Sequence, residues 1–363
     1  MRIFYDGYVY QEQSAGGVNR YFANLIKRLP GNFVPLLLTS QDHILDYPAH
    51  ANLRAFKFKR RRPLRISCRV EKYYFCCVEA AVKYDVAHPT YYSLLTQREF
   101  AAYRRPVVLT VWDMIHERFT KQFKDGALVV EMKRKAVEAA YSIICISENT
   151  KKDLLERYPH VREECVRVTH LASELNESMA YGPELVPSRP YFLYVGARGG
   201  YKNFSNLLAA FGKVAGARRD LALCVVGTPF SAAEQRDVTE MKLNRRVEHY
   251  GQASDAQLAK LYRHSIALVY PSLYEGFGIP LVEAMACGTA VVASNGSSLP
   301  EVLGGAGLLF DPAADDLADV LLSLIDDPAE RERLVELGRE RAREFSWERT
   351  VAQTLDVYRS VVD

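Results

Sequence analysis

Short, continuous apolar runs of strand length recur along the whole chain, each followed by a longer stretch of helical pattern. In the first half they are MRIFYD, FVPLLLT, DVAHP, PVVLTVWD and YSIICIS; in the second, YFLYVG, LALCVVG, IALVYPS, TAVVAS and GLLFDP. A strand with one wet face alternates apolar and polar residues. These runs do not alternate, so both of their faces must be covered, which is the condition of a parallel sheet between helices. The expected class is α/β with doubly wound sheets. At 363 residues the chain exceeds one ordinary core, and two domains of roughly 150–200 residues are the natural division. The stretch LASELNESMAYGPELVPSRP, residues 171–190, is polar and proline-rich and reads as the linker. The expected boundaries are residues 1–185, residues 186–345, and a closing amphipathic helix over 346–363 with Ser346 as its N-cap.

Composition removes several classes. Hydrophobic residues make up 48% and charged residues 25% of the chain, and the net charge is only +3, which argues for no particular anionic partner. The seven cysteines are odd in number and form no Cys-x-x-Cys pair; Cys145, Cys224 and Cys287 lie in apolar runs. They read as reduced thiols of a cytoplasmic protein, neither disulfides nor a zinc site. The opening MRIFYDGYVYQEQ has polar residues where a secretory signal needs an apolar core, and no apolar run has the length of a membrane span.

In doubly wound sheets ligands bind at the carboxyl ends of the strands, so the loops that follow the strands carry the candidates. After IALVYPS comes LYEGFGIPLVEAMACG, in which Glu275 and Glu283 are separated by seven residues. Gly276 and Gly278 read as a flexible loop, Pro280 as first-turn proline, and Gly288 as the helix stop. Glu283 is expected in the helix's first turn and Glu275 in the loop. The helix start is an anion site by its free N–H groups. Carboxylates can accept from vicinal sugar hydroxyls, or Glu283 can simply favour the helix dipole while Glu275 is solvated. After YFLYVG, the loop ARGGYKN places Arg198 and Lys202 four apart beside two glycines. That is a diphosphate-neutralising arrangement or a plain cationic loop. Gly16 and Gly17 are read as following the first strand and opening a helix, without a dinucleotide or P-loop fingerprint. Asp113 stands at the end of PVVLTVWD, as a cap or a functional carboxylate, and His88 and His116 are candidate polar contacts or structural imidazoles.

Together these motifs resemble retaining glycosyltransferases of family four, with the GT-B fold. YVGARGGYKNFSNLLAAF, the long LYRHSIALVYPSLYEGFGIPLVEAMACGTAVVASNGSSLPEVLGGAGLLFDP and FSWERT carry the resemblance in the second half. YDGYVYQEQSAGGVNRYFANL and TVWDMIHERF carry it in the first, in the manner of enzymes that build bacterial exopolysaccharide, O-antigen or glycolipid glycans. The resemblance implies two Rossmann-like domains, an acceptor-side first domain and a donor-binding second domain, with the donor in the cleft between them and the closing helix returning to the first. It implies transfer of a hexose from a UDP-hexose or GDP-mannose type donor to a glycan or lipid-linked acceptor, with retention and without a metal ion or other cofactor. Arg198 and Lys202 would hold the diphosphate and stabilise the leaving group. Glu275 would face the sugar and Glu283 the ribose. N–H groups of Gly276, Phe277 and Gly278 would meet sugar hydroxyls, those near Leu281 the phosphates, and Gly16 and Gly17 would cover the diphosphate. Asp113 would orient acceptor or sugar. Family members commonly carry His-Asp where this chain has Trp112-Asp113, so that imidazole contact is lost or replaced. The alternatives are a nucleotide-sugar epimerase on the same fold, or an inactive nucleotide- or glycan-binding module.

Residues 57–72, KFKRRRPLRISCRVEK, hold eight cations and one acid, Glu71, with aromatic residues on both flanks. No nucleic-acid motif accompanies them. A solvated basic face is one reading. Docking to an anionic membrane surface at the inner face of the plasma membrane, or to a lipid-diphosphate acceptor, is the sharper one.

Overall fold

The computed structural model describes residues 1–14, 16–40, 46–314 and 316–362. The chain divides into two compact units, Met1–Leu171 with Trp347–Asp363, and Ala172–Ser346.

The first unit contains β1 (Arg2–Asp6), β2 (Val34–Thr39), β3 (Arg54–Lys57), β4 (Val86–Ala87), β5 (Val108–Val111), β6 (Ser142–Cys145) and β7 (Val166–Val168). The orders β3-β2-β1-β4 and β5-β6-β7 are joined by a parallel bridge between Ala87 and Val107. The second unit contains β8 (Tyr191–Val195), β9 (Ala222–Val226), β10 (Val247–His249), β11 (Ala267–Tyr270), β12 (Ala290–Ser294) and β13 (Leu308–Phe310), in the order β10-β9-β8-β11-β12-β13. Each unit therefore runs outward from its own first strand and then reverses, at β1/β4 and at β8/β11. Every pairing is parallel. The central strands are sealed on both faces: Phe192, Leu193, Leu268 and Val269 are fully buried, as continuous apolar runs require. Each such side chain contributes roughly 1.5–3 kcal/mol of transfer free energy.

All ten apolar runs are strands. The three strands absent from that reading are β3, β7 and β10, and each lies at a sheet edge. An edge strand is half wet and carries charge, here Arg54 and Lys57, Arg167, and Glu248, which hides it from an apolar-run search.

The boundary expected at residue 185 moves to 171/172. A 3-10 turn at Glu177–Tyr181 packs on the helix Asp255–His264. Glu177 Oε1 lies 3.0 Å from Arg263 Nη1 and 2.6 Å from Arg339 Nη2. The polar stretch is thus bound into the second unit by partners far along the chain. The closing helix, Trp347–Ser360, belongs to the first unit and packs on the helix Gly17–Lys27. No helix among the described residues is long and apolar enough to cross a membrane.

Candidate functional site

At the point where the second sheet reverses, the loops after β8 and β11 lie side by side, and Leu273 N–H donates to the Tyr201 carbonyl at 2.8 Å. Arg198, on the first loop, is only 8% exposed. Its Nε donates to Glu234 Oε1 at 2.7 Å and its Nη2 to the Pro229 carbonyl at 2.9 Å, with the guanidinium 4.6 Å above the Phe230 ring. Nη1 is buried without a hydrogen-bond partner among the described residues. Glu234 in turn closes a capping box with Ser231. Burial opposes its charge, but the hydrogen bonds from Arg198 and Ser231 outweigh burial and hold its carboxyl below the ordinary value. A buried guanidinium with one pair satisfied and one nitrogen unspent is preorganised toward an anion.

Lys202 ends the same loop. Its Nζ lies 2.7 Å from Glu275 Oε1, with the two side chains 17% and 10% exposed. Tyr270, at the end of β11, is buried against Glu275, and both burial and that carboxylate push its hydroxyl well above its ordinary value. The loop carrying Glu275 is pinned from β12's far end. Glu275 N–H donates to Ser297 Oγ at 2.8 Å, and Ser297 returns a bond to the Glu275 carbonyl at 3.0 Å. The Ser298 hydroxyl meets the Glu275 and Phe277 carbonyls at 2.9 and 3.0 Å. Ser297 holds a left-handed φ of 50° to do so, a cost of roughly 1–2 kcal/mol that its two bonds offset. Gly278 is required as glycine: its φ is 99°, and a Cβ there would sit 2.7 Å from Leu299 Cδ2.

The helix that follows is Ile279–Ala286, with Pro280 in its opening turn. Glu283 is therefore its fifth residue, in the second turn and not the first as expected, because the helix starts after Gly278. Its Oε2 accepts from Tyr262 OH at 2.9 Å. Leu281 N–H already donates to the Gly278 carbonyl at 3.0 Å, so the helix start is less open than its sequence implies. Phe277 is buried against Phe345. Glu234, Tyr262, Ser297 and Ser298 escaped the sequence reading. Only the two serines had a signal, in the loop NGSSLP after TAVVAS.

In the first unit a cavity of about 490 Å³ opens at the carboxyl ends of β1, β4 and β5. Trp112, Asp113 and His116 all line it. Asp113 Oδ1 caps the Ile115 N–H at 2.9 Å. The fully buried Lys133 reaches the Asp113 carbonyl and Glu117 Oε2, both at 2.8 Å. His116 is held below its ordinary value by burial, against the pull of Asp113, and its Nδ1 has no hydrogen-bond partner among the described residues. Trp112 packs edge-on against Tyr21 at 5.0 Å. Gly16 and Gly17 do not follow β1 directly: a one-turn helix, Val9–Glu12, intervenes, and the next helix begins at Gly17. Gly16 is extended, and a Cβ on Gly17 would meet open space. His88 belongs to the core. Its Nδ1 lies 2.6 Å from Tyr358 OH and its Nε2 2.8 Å from Thr110 Oγ1, and burial lowers its pKa to about 3.

Residues 182–341 match the family described as glycosyl transferases group 1, and residues 15–175 match glycosyltransferase family 4. Among curated proteins, the O-antigen chain mannosyltransferase B of Escherichia coli is 30% identical over 239 residues, covering 62% of this chain and 62% of that protein. The alpha-maltose-1-phosphate synthase of Mycobacterium tuberculosis is 33% identical over 305 residues, 76% of this chain and 78% of its own. Among solved structures, Anabaena HepE in complex with UDP-glucose superposes with a TM-score of 0.73 at 18% identity, covering 99% of both chains.

Proposed function

From the premise that this chain belongs to glycosyltransferase family 4 and has the GT-B fold, we propose that it transfers a hexose from a nucleoside-diphosphate sugar to a glycan or lipid-linked saccharide in bacterial cell-surface polysaccharide synthesis. The observation that carries the proposal is the convergence of Arg198, Lys202 and Glu275 on adjacent loops at the second unit's reversal point. That is where such sheets bind nucleotides.

In this reading Arg198 and Lys202 take the diphosphate and stabilise the charge that grows on the leaving nucleoside diphosphate, the work a divalent ion does elsewhere. No metal ion is required. Glu275 faces the sugar, with the N–H groups of Gly276, Phe277 and Gly278 toward its hydroxyls, and Leu281 lies toward the phosphates. Glu283, oriented by Tyr262, accepts from the ribose. Gly16 and Gly17 offer backbone N–H groups to phosphate at a helix start. Asp113 orients the acceptor hydroxyl. The donor's anomeric C–O bond breaks as the acceptor oxygen bonds to the same face, and the acceptor proton passes to an oxygen of the departing diphosphate. Support for the donor class is the UDP-glucose bound by HepE and the mannosyl transfer named for the E. coli relative. The basic helix after β3 would seat the enzyme on the anionic inner face of the plasma membrane.

The test is a screen of UDP-hexoses and GDP-mannose for slow donor hydrolysis in the presence of EDTA, with the released sugar's anomer read by NMR. Release of the α-anomer from an α-linked donor is the expected result. An altered sugar with no nucleotide released would point to an epimerase. Neither binding nor hydrolysis of any donor would refute the transferase.

A further inference from the structure

We propose that the first-unit cavity accepts an uncharged, hydroxyl-bearing sugar and rejects phosphorylated ones. This rests on the transferase reading above and adds the chemical class of the acceptor. Glu12, Asp113 and Asp125 all line the cavity, and among the described residues no Lys or Arg does. The cation behind it, Lys133, is fully buried and already engaged, 2.8 Å from Glu117 Oε2 and 3.8 Å from Asp113 Oδ1. His116, the remaining candidate for positive charge, has its protonation opposed by burial, which outweighs the pull of Asp113. The positive element at the rim is the start of the helix Gly17–Lys27, whose Val18 lines the cavity; the transferase reading already commits its N–H groups to the donor's phosphates, so they are not spare for a second one. A helix N-terminus supplies about half a charge, against three carboxylates. The balance is repulsive to a phosphate, which carries nearly two negative charges of its own.

The same lining suits a neutral sugar. Carboxylates are acceptors only and match the outward hydroxyls of a pyranose. Tyr8, Tyr91 and Trp112 supply rings on which its C–H face can rest; Tyr8 and Tyr91 are stacked with centroids 6.4 Å apart. The amphipathic hydroxyl-and-C–H surface of a sugar fits a cavity of apolar walls with a few placed acceptors.

The chain has two tryptophans, so Trp347→Phe leaves Trp112 as the sole emitter, inside the cavity lining. In that protein, with excess UDP or GDP present, methyl α-D-mannopyranoside and maltose should shift the emission saturably. Glucose 1-phosphate should bind at least roughly tenfold more weakly, since one full like charge at cavity distances is worth about that factor. Adding Glu12→Gln and Asp125→Asn, which leave the Asp113 cap intact, should narrow the gap by roughly tenfold. Equal binding of glucose 1-phosphate, an unchanged gap in the charge-removed variant, or no saturable shift with any of the sugars would each overturn the proposal. Donor hydrolysis by the same preparation separates the two levels: if it persists, only the acceptor inference falls, and if it is absent for every donor, the transferase reading falls.

Discussion

Lys202 and Glu275 neutralise one another across two loops, Nζ to Oε1 at 2.7 Å, with both side chains largely withdrawn from water. A diphosphate that binds Lys202 must compete with that carboxylate. Glu275→Gln should therefore tighten UDP or GDP binding by about three- to tenfold, while transfer falls by roughly a hundredfold if Glu275 also faces the sugar. Calorimetric titration and donor turnover check the two halves separately. A variant that binds nucleotide more weakly would show that the pair is structural.

Arg198 differs because its ion pair leaves it a free edge. Glu234 and the Pro229 carbonyl fix Nε and Nη2, and Phe230 fixes the plane. Lysine cannot reproduce that fork. Arg198→Lys should lower turnover by roughly a hundredfold with little change in thermal stability. Arg198→Met should also destabilise, because it strands a Glu234 carboxylate whose charge the guanidinium supports. Near wild-type turnover in Arg198→Lys would remove the residue from the chemistry.

For Glu283 the sensitive partner is Tyr262, fully buried and hydrogen-bonded to it at 2.9 Å. Tyr262→Phe removes this donor to the Glu283 carboxylate. The expected outcome is a roughly tenfold loss of affinity for ribonucleotides and a much smaller loss for 2′-deoxyribonucleotides. Glu283→Ala should weaken donor binding more than it slows the bound donor's turnover. Equal loss for both sugars would place Glu283 away from the ribose.

The parts of this site that lie in one loop were legible in the sequence; the parts that meet across loops were not. Arg198, Lys202 and Glu275 announce themselves because glycine loops after apolar strands are places where function concentrates, and their reversal-point position follows from the strand order. Their supports do not. Glu234 lies 36 residues from Arg198, and Tyr262 lies 21 residues before Glu283; nothing local marks either one. The turn occupied by Glu283 depended on where Gly278 lets the helix begin, a left-handed backbone that spacing alone does not reveal. The edge strands β3, β7 and β10 were invisible because an edge needs charge more than it needs hydrophobicity. The linker was misplaced because Glu177 finds two arginines 86 and 162 residues downstream.

Two buried titratable groups in the first unit set opposing pH dependences. His88 has its pKa lowered to about 3 by burial, so between that value and its ordinary 6.5 the unfolded chain holds a proton the folded one does not, and stability falls as pH falls. Asp6 has its pKa raised to about 7, chiefly by burial and against the Leu95 and Thr96 N–H bonds. Between 3.8 and 7 the folded chain holds the extra proton, and stability falls as pH rises. Each slope is at most about 1.4 kcal/mol per pH unit, and from about pH 4 to 6.5 they cancel. Both tryptophans lie in this unit, so their fluorescence follows its unfolding. Denaturant titrations should be nearly flat over that range in the native protein. They should weaken toward acid in Asp6→Asn and toward neutrality in His88→Gln. Parallel profiles in the two variants would contradict the opposition.

The helix Leu64–Ala81 turns an apolar stripe outward. Ile66, Val70 and Tyr73 are 61%, 49% and 69% exposed, and with the exposed Cys77 they are spaced four, three and four residues apart, along one face. Its inner face packs without them: Phe75 is buried, and Arg60 Nε and Nη2 donate to Glu71 Oε1 and Oε2. Exposed Arg61, Arg62, Arg65 and Arg69 border the stripe. Apolar residues rimmed by guanidinium groups are matched to the boundary between anionic headgroups and acyl chains, and each cation near such a surface is worth about 1 kcal/mol at moderate salt. The protein should co-sediment with vesicles containing anionic phosphatidylglycerol and remain in the supernatant with neutral phosphatidylcholine, and high salt should release it. Val70→Glu with Tyr73→Glu should abolish binding while leaving hydrolysis of a soluble donor unchanged. Equal sedimentation with both vesicle types, or full binding by the double variant, would show that this stripe does not meet a membrane.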